Sequence, residues 1–147
     1  MKFFVTGVNG QLGHDVMNEL NKRGHQGVGS DLAPAYAGVN DGSAVTTMPY
    51  MSLDITDAQA VNRVISEVQP DAVIHCAAWT AVDLAEDDDK VALVRKVNVD
   101  GTQNIANACK ARNCKMLYLS TDYVFDGQGT QPWEPDCKDY KPLNVYG

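Results

Sequence analysis

Thr6-Gly7-Val8-Asn9-Gly10-Gln11-Leu12-Gly13 spaces three glycines three residues apart, directly after the apolar run Phe3-Phe4-Val5 and directly before a segment with helical periodicity. A chain that passes from strand to helix in so few residues must turn tightly, and glycine accepts the positive φ that such a turn needs. The spacing gives each glycine a separate job. The first makes the turn, the second leaves a surface without a Cβ, and the third lets helix and strand pack closely. The unpaired N–H groups at the helix start then form an anion site suited to the pyrophosphate of a dinucleotide. Gly7, Asn9, Gly10, Gln11, Leu12 and Gly13 are the cofactor-binding residues expected of this turn.

Strand and helix signals alternate along the rest of the chain. Lys2 to Thr6 reads as a buried strand, and Gln11 to Arg23 as a helix with Leu12, Val16 and Leu20 on one face. Gln26 to Leu32 forms a second strand, followed by Ala33 to Pro49, a mobile loop longer than usual connections and rich in small residues. Tyr50 to Leu53 is a third strand, and Thr56 is placed to cap a helix carrying Val61, Val64, Ile65 and Val68. The compact apolar run Ala72 to Ala78 suits a central parallel strand covered on both faces. One long helix is expected from Lys90 to Ala111, then a fifth strand from Lys115 to Leu119 and a loop from Asp126 to Pro142. Parallel neighbours need crossovers, and right-handed crossovers put helices on both faces. The expected fold class is therefore α/β, a Rossmann-type doubly wound parallel sheet occupying residues 1–147 as one domain.

Charge and composition narrow the partners. Lys and Arg number 12 against 19 Asp and Glu, for a net charge of -7, and no basic run is present to follow a phosphate backbone, so nucleic acid is not expected. No apolar stretch approaches the ~20 residues of a membrane-spanning helix, and the N-terminus lacks an export signal. The expected compartment is the cytoplasm. Cys76, Cys109, Cys114 and Cys137 have no C-x-x-C spacing and His14, His25 and His75 fall at unrelated points, which predicts reduced thiols and no metal site. The acidic run Glu86-Asp87-Asp88-Asp89 precedes a predicted helix and is read as a solvated helix start, where carboxylates favour the positive dipole end.

Asp31 closes the second strand 18 residues after Gly13. A carboxylate there accepts hydrogen bonds from an adenosine ribose and repels a 2′-phosphate. Between Gly7 and Asp31 the only basic residues besides His14 and His25 are Lys22 and Arg23, at the far end of the helix, so NAD(H) is preferred to NADP(H).

The segments Thr6 to Gly13, Asp31, Asp54-Ile55, His75 to Asp83, Asn98, Ser120-Thr121-Asp122-Tyr123-Val124-Phe125 and Pro142-Leu143-Asn144-Val145-Tyr146-Gly147 together resemble the extended short-chain dehydrogenase/reductases, most closely the branch that reduces dTDP-4-dehydrorhamnose. The resemblance implies an NAD(P)H-dependent oxidoreductase acting on a nucleotide-sugar substrate, converting dTDP-4-dehydro-L-rhamnose to dTDP-L-rhamnose for polysaccharide biosynthesis. It adds Asp54, Ile55, Ala77 and Ala78 to the cofactor set. It makes Thr121 the donor to the developing oxyanion, Tyr146 the catalytic acid, and Asn98 the support of a proton relay. Thr121, Asp122 and Tyr123 are the substrate-side residues, with Tyr123 either lining the pocket or packing beside Val124 and Phe125. The family places a lysine four positions after the tyrosine, beyond Gly147, which predicts that this chain lacks that lysine and the sugar-binding region. Two other readings share the same motifs: a non-catalytic regulatory protein similar to the methionine adenosyltransferase regulatory subunit, and another sugar-nucleotide epimerase or dehydratase. Homodimer formation and metal dependence stay open on these residues.

Overall fold

The computed structural model describes residues 1–147 as an open parallel sheet of five strands in the order β3-β2-β1-β4-β5. The strands are β1 (Lys2–Thr6), β2 (Gln26–Asp31), β3 (Tyr50–Ser52), β4 (Ala72–His75) and β5 (Lys115–Tyr118). Helix α1 (Gln11–Lys22) joins β1 to β2, α2 (Ala58–Val68) joins β3 to β4, and α3 (Asp88–Arg95) with α4 (Thr102–Ala111) precedes β5. This is the Rossmann-type α/β arrangement. No helix is long and apolar enough to cross a membrane.

The period-two alternation of strand side chains divides the core between the faces. Phe4, Val28 and Val73 pack with Val61, Val64, Ile65 and Val68 of α2 and with Ile105, Ala108 and Cys109 of α4. Val5 and Val8 face the other way, against Met17 and Leu20 of α1. Each such side chain taken fully out of water contributes roughly 1.5–3 kcal/mol. The apolar stripe of α2 therefore explains both why the segment is helical and which face it buries. All four cysteines are free thiols.

Several boundaries differ from those expected. Asp57, not Thr56, caps α2: its carboxylate accepts from the Gln59 and Ala60 amides at 2.9 and 3.0 Å, while the Thr56 amide is taken by Asp54 Oδ1 at 2.8 Å. Those two backbone bonds, with that to Ala60 the stronger, hold the Asp57 carboxyl below its usual range. β4 stops at His75 because the amide of Ala77 turns to the Thr6 hydroxyl instead of continuing the ladder. The long helix expected from Lys90 begins two residues earlier and is interrupted by a π-helical segment, Lys96–Gly101. A Cβ on Gly101 would lie 2.7 Å from Ile55 Cδ1, so the bare glycine at the end of this segment makes room for Ile55.

The loop between β2 and β3 is fastened to α1 despite having no regular structure. Buried His14 places its ring nitrogens 2.6 Å from the Tyr36 hydroxyl and 2.7 Å from that of Ser43. The rings of Tyr36 and Tyr50 stack at 6.0 Å. The mobility expected of this segment is thus opposed by specific anchors.

Candidate functional site

A cleft of about 550 Å³ opens at the carboxyl ends of the strands, beside the point where the sheet order reverses around β1. The crossover into β2 and the crossover into β4 pack on opposite faces on either side of β1, which is why open α/β sheets form a crevice at that place. The ends of β1, β2, β4 and β5, the loop after β3, the start of α1 and the π-helical segment all contribute to its wall.

The three glycines divide their work as the spacing implies. Gly7 has φ +73°, and a Cβ on it would lie 2.6 Å from the Ala77 nitrogen. A Cβ on Gly13 would lie 2.2 Å from the Gly7 carbonyl oxygen, so the helix can approach the turn only without one. Gly10 is different: its backbone is extended, a Cβ would meet nothing nearer than 3.3 Å, and its bare Cα belongs to the cleft wall. Helix α1 has no side-chain cap and no acidic residue in its first turn, leaving the amides of Gln11, Leu12 and Gly13 and the positive dipole end uncompensated. Buried Ser30 also faces this cleft with a hydroxyl that has no hydrogen-bond partner. An uncompensated helix start and an orphaned hydroxyl in one cleft fit the diphosphate and sugar of a dinucleotide.

Asp31 lines the same cleft and orders the turn. Its Oδ2 accepts from the Asn9 amide at 3.0 Å and its Oδ1 from that of Leu32 at 2.7 Å. Asn9 lies outside the cleft wall. Its side-chain oxygen accepts from the Ala37 amide at 3.0 Å and its amide donates to the Ala35 carbonyl at 3.4 Å, so it fastens the β2–β3 loop. Asp54, Ile55, Ala77 and Ala78 line the same cleft, Ala77 directly against the turn, and Asn104 fixes Ile55 by donating to its carbonyl at 2.9 Å.

Below the cleft is a polar chain that the sequence reading missed. Thr6 Oγ1 accepts from the Ala77 amide at 3.2 Å and lies 2.7 Å from His75 Nδ1, while His75 Nε2 lies 3.1 Å from Thr102 Oγ1. The two ring nitrogens of a neutral imidazole take complementary roles, one donating to a threonine hydroxyl and the other accepting from the second. Burial pushes the His75 pKa down to about 4, in keeping with a neutral ring. The available signal was a polar residue ending the first apolar run and another in the middle of the run Ala72 to Ala78, and the register pairs Thr6 with His75. Burial likewise pushes the neighbouring Cys76 thiol up to about 11, leaving it protonated near neutrality.

Thr121, Tyr146 and Asn98 all line the cleft on the side away from the glycine turn. Thr121 Oγ1 accepts from the Tyr123 amide at 3.2 Å, and its proton has only a 3.4 Å contact to Asp122 Oδ1. That long contact leaves the hydroxyl free to redirect its proton. Asn98 is committed at both ends of its carboxamide, accepting from the Trp79 amide at 2.7 Å and donating to the Trp79 carbonyl at 3.0 Å. Asp122 and Tyr123 lie outside the wall; Tyr123 is 46% exposed and sets its ring edge-on against Tyr146 at 5.7 Å.

A family model described as the RmlD substrate binding domain matches residues 1–147. The chain is 38% identical over 146 residues to the dTDP-4-dehydrorhamnose reductase of Streptomyces griseus, covering 99% of this chain and 41% of the relative. It is 30% identical to the methionine adenosyltransferase 2 subunit beta of Bos taurus, covering 99% of this chain and 39% of that protein. The crystal structure of the Bacillus anthracis dTDP-4-dehydrorhamnose reductase in complex with NADP superposes with a TM-score of 0.76 at 31% identity, over 99% of this chain and 44% of the other. The NAD complex of Thermus thermophilus UDP-glucose 4-epimerase gives a TM-score of 0.78 at 26% identity, over 99% and 46%. The chain spans less than half the length of each.

Proposed function

Because the chain belongs to the RmlD substrate binding domain family, we propose that it is the dinucleotide-binding part of an NAD(P)H-dependent reductase of a keto-sugar nucleotide, with dTDP-4-dehydro-L-rhamnose as the first substrate to test. The observation that carries this reading is that one cleft holds both the glycine turn and, at its other end, Thr121 and Tyr146. Gly7, Gly10, Gln11, Leu12, Gly13, Ser30 and Asp31 would hold the dinucleotide, with Asp31 favouring NAD(H). Bound there, a reduced nicotinamide supplies a hydride to the carbonyl carbon.

As the carbonyl is reduced, negative charge develops on its oxygen and must be met by a donor and then a proton. Thr121 turns its hydroxyl from Asp122 to that oxygen. Tyr146 delivers the proton. Asn98 holds the backbone at Trp79, between the cleft-lining Ala78 and Thr80, in place.

The test is turnover by the whole protein with NADH or NADPH and dTDP-4-dehydro-L-rhamnose, followed at the nicotinamide absorbance. The 30% identity to a methionine adenosyltransferase subunit supports a second reading, a regulatory protein that keeps the fold without turnover. A protein that binds the cofactor but reduces no keto-sugar nucleotide takes that second reading.

A further inference from the structure

We infer that Glu86 is a positioning residue that clasps the Tyr146-bearing segment onto the sheet domain, an inference that rests on the reductase reading for what the clasp serves. The segment from Pro142 to Gly147 has no regular structure. Its only hydrogen bond to the first 119 residues runs from the Val145 amide to Glu86 Oε1, at 2.7 Å, and Val145 immediately precedes Tyr146. Its other restraints lie within the segment or against the turn after β5: the Gly147 amide donates to Asn144 Oδ1 at 2.8 Å, Tyr146 meets the ring of Tyr123 edge-on, and Gly147 packs against the Tyr123 carbonyl.

Glu86 is suited to the task by what holds it and by what it lacks. It ends a short 3₁₀ turn, Asp83–Glu86, whose Ala85 is fully buried and donates its amide to the carbonyls of Ala81 and Val82. The carboxylate therefore stands on an anchored backbone. Of the acidic run, Asp88 and Asp89 occupy the first turn of α3 and Asp89 pairs with Lys90, whereas Glu86 forms no ion pair. A carboxylate accepting from a backbone amide makes a stronger bond than a neutral acceptor. The four consecutive acids thus do different things, and the first reaches across 59 residues of sequence to the catalytic segment.

The experiment uses the full-length protein with Glu86→Ala and Glu86→Gln, reading amide hydrogen exchange at Val145, kcat and the NADH dissociation constant. Glu86→Ala should speed exchange at Val145 and lower kcat by ~10–100-fold, the scale of a small misplacement of a reacting group, while NADH affinity holds. Glu86→Gln keeps an acceptor oxygen and should restore most of the protection and most of kcat. Unchanged exchange at Val145 in Glu86→Ala overturns the clasp, and faster exchange with full kcat overturns its role in positioning. A glutamine variant as impaired as the alanine variant in both readouts overturns the hydrogen-bond account. A wild-type protein that binds NADH but reduces no keto-sugar nucleotide would instead sink the reductase reading, and Val145 exchange would still decide whether Glu86 holds the segment.

Discussion

Thr6 and His75 meet in a buried 2.7 Å hydrogen bond between the ends of two paired strands, 69 residues apart in sequence. Burial of the bonded ring favours the neutral imidazole, so its protonation must work against folding. With the folded pKa near 4 and the ordinary value at 6.5, the unfolded chain binds the proton first as pH falls. The stability tied to the neutral ring is fully present above pH 6.5 and is lost progressively down to about pH 4, up to ~3 kcal/mol for a gap of that size. Urea unfolding at pH 7, 6 and 5 should show a falling midpoint, and His75→Asn should flatten that fall. An equal fall in the variant would remove His75 as its source.

The glycines at positions 10 and 13 should fail in different ways. Gly13→Ala puts a Cβ into the Gly7 carbonyl and should destabilise the protein by about 1–3 kcal/mol, as overpacking does, visible as a lower melting temperature. Gly10→Val meets no such backbone obstacle and should melt close to wild type while losing NADH binding. Matching titration curves for wild type and Gly10→Val would remove the glycine turn as the cofactor site.

Asp31→Ala should shift the ratio of NADH to NADPH affinity toward NADPH, because the carboxylate that repels a 2′-phosphate is gone. The same change releases the amides of Asn9 and Leu32, so both affinities are expected to fall in absolute terms. The ratio separates specificity from loosening of the turn. A ratio that does not move counts against Asp31 as the discriminating residue.

In the full-length protein, Tyr146→Phe should lower kcat by about 10²–10⁴-fold with NADH affinity near normal, the signature of a lost acid. Thr121→Val should cost a smaller factor, since the proton donor stays in place. Steady-state rates and direct cofactor titration on the same preparations check both. A Thr121→Val loss exceeding that of Tyr146→Phe would reverse their assigned roles.

The features readable in the sequence are those with local causes. A strand, a glycine turn and a periodic helix announce themselves within a dozen residues, so β1, α1 and the α2 stripe fell where their side chains put them. Features decided by distant partners were not readable. The cap of α2 fell to Asp57, whose carboxylate reaches the Gln59 and Ala60 amides, and the helix from Lys90 carries a π-helical segment that ends at Gly101, against Ile55. Asn9 sits within the glycine motif yet serves a loop 26 and 28 residues away. Ser30 and Thr102 carried no motif, Thr6 and His75 stood in motifs that gave neither a buried partner, and Glu86 was hidden in a run of like charges.

The central place of β1 in the sheet also has a consequence in time. β1 leaves a ribosome before either of the two neighbours it needs, and its pairing with β4 begins at Ala72 opposite Phe3. Until that stretch emerges, β1 has only β2 beside it, and the Thr6 hydroxyl has neither the His75 ring nor the Ala77 amide. Pairings this distant in sequence are slow to close and leave apolar strand edges open meanwhile. Nascent chains halted before residue 72 should therefore remain open to proteolysis, with protection arriving only once β4 can dock.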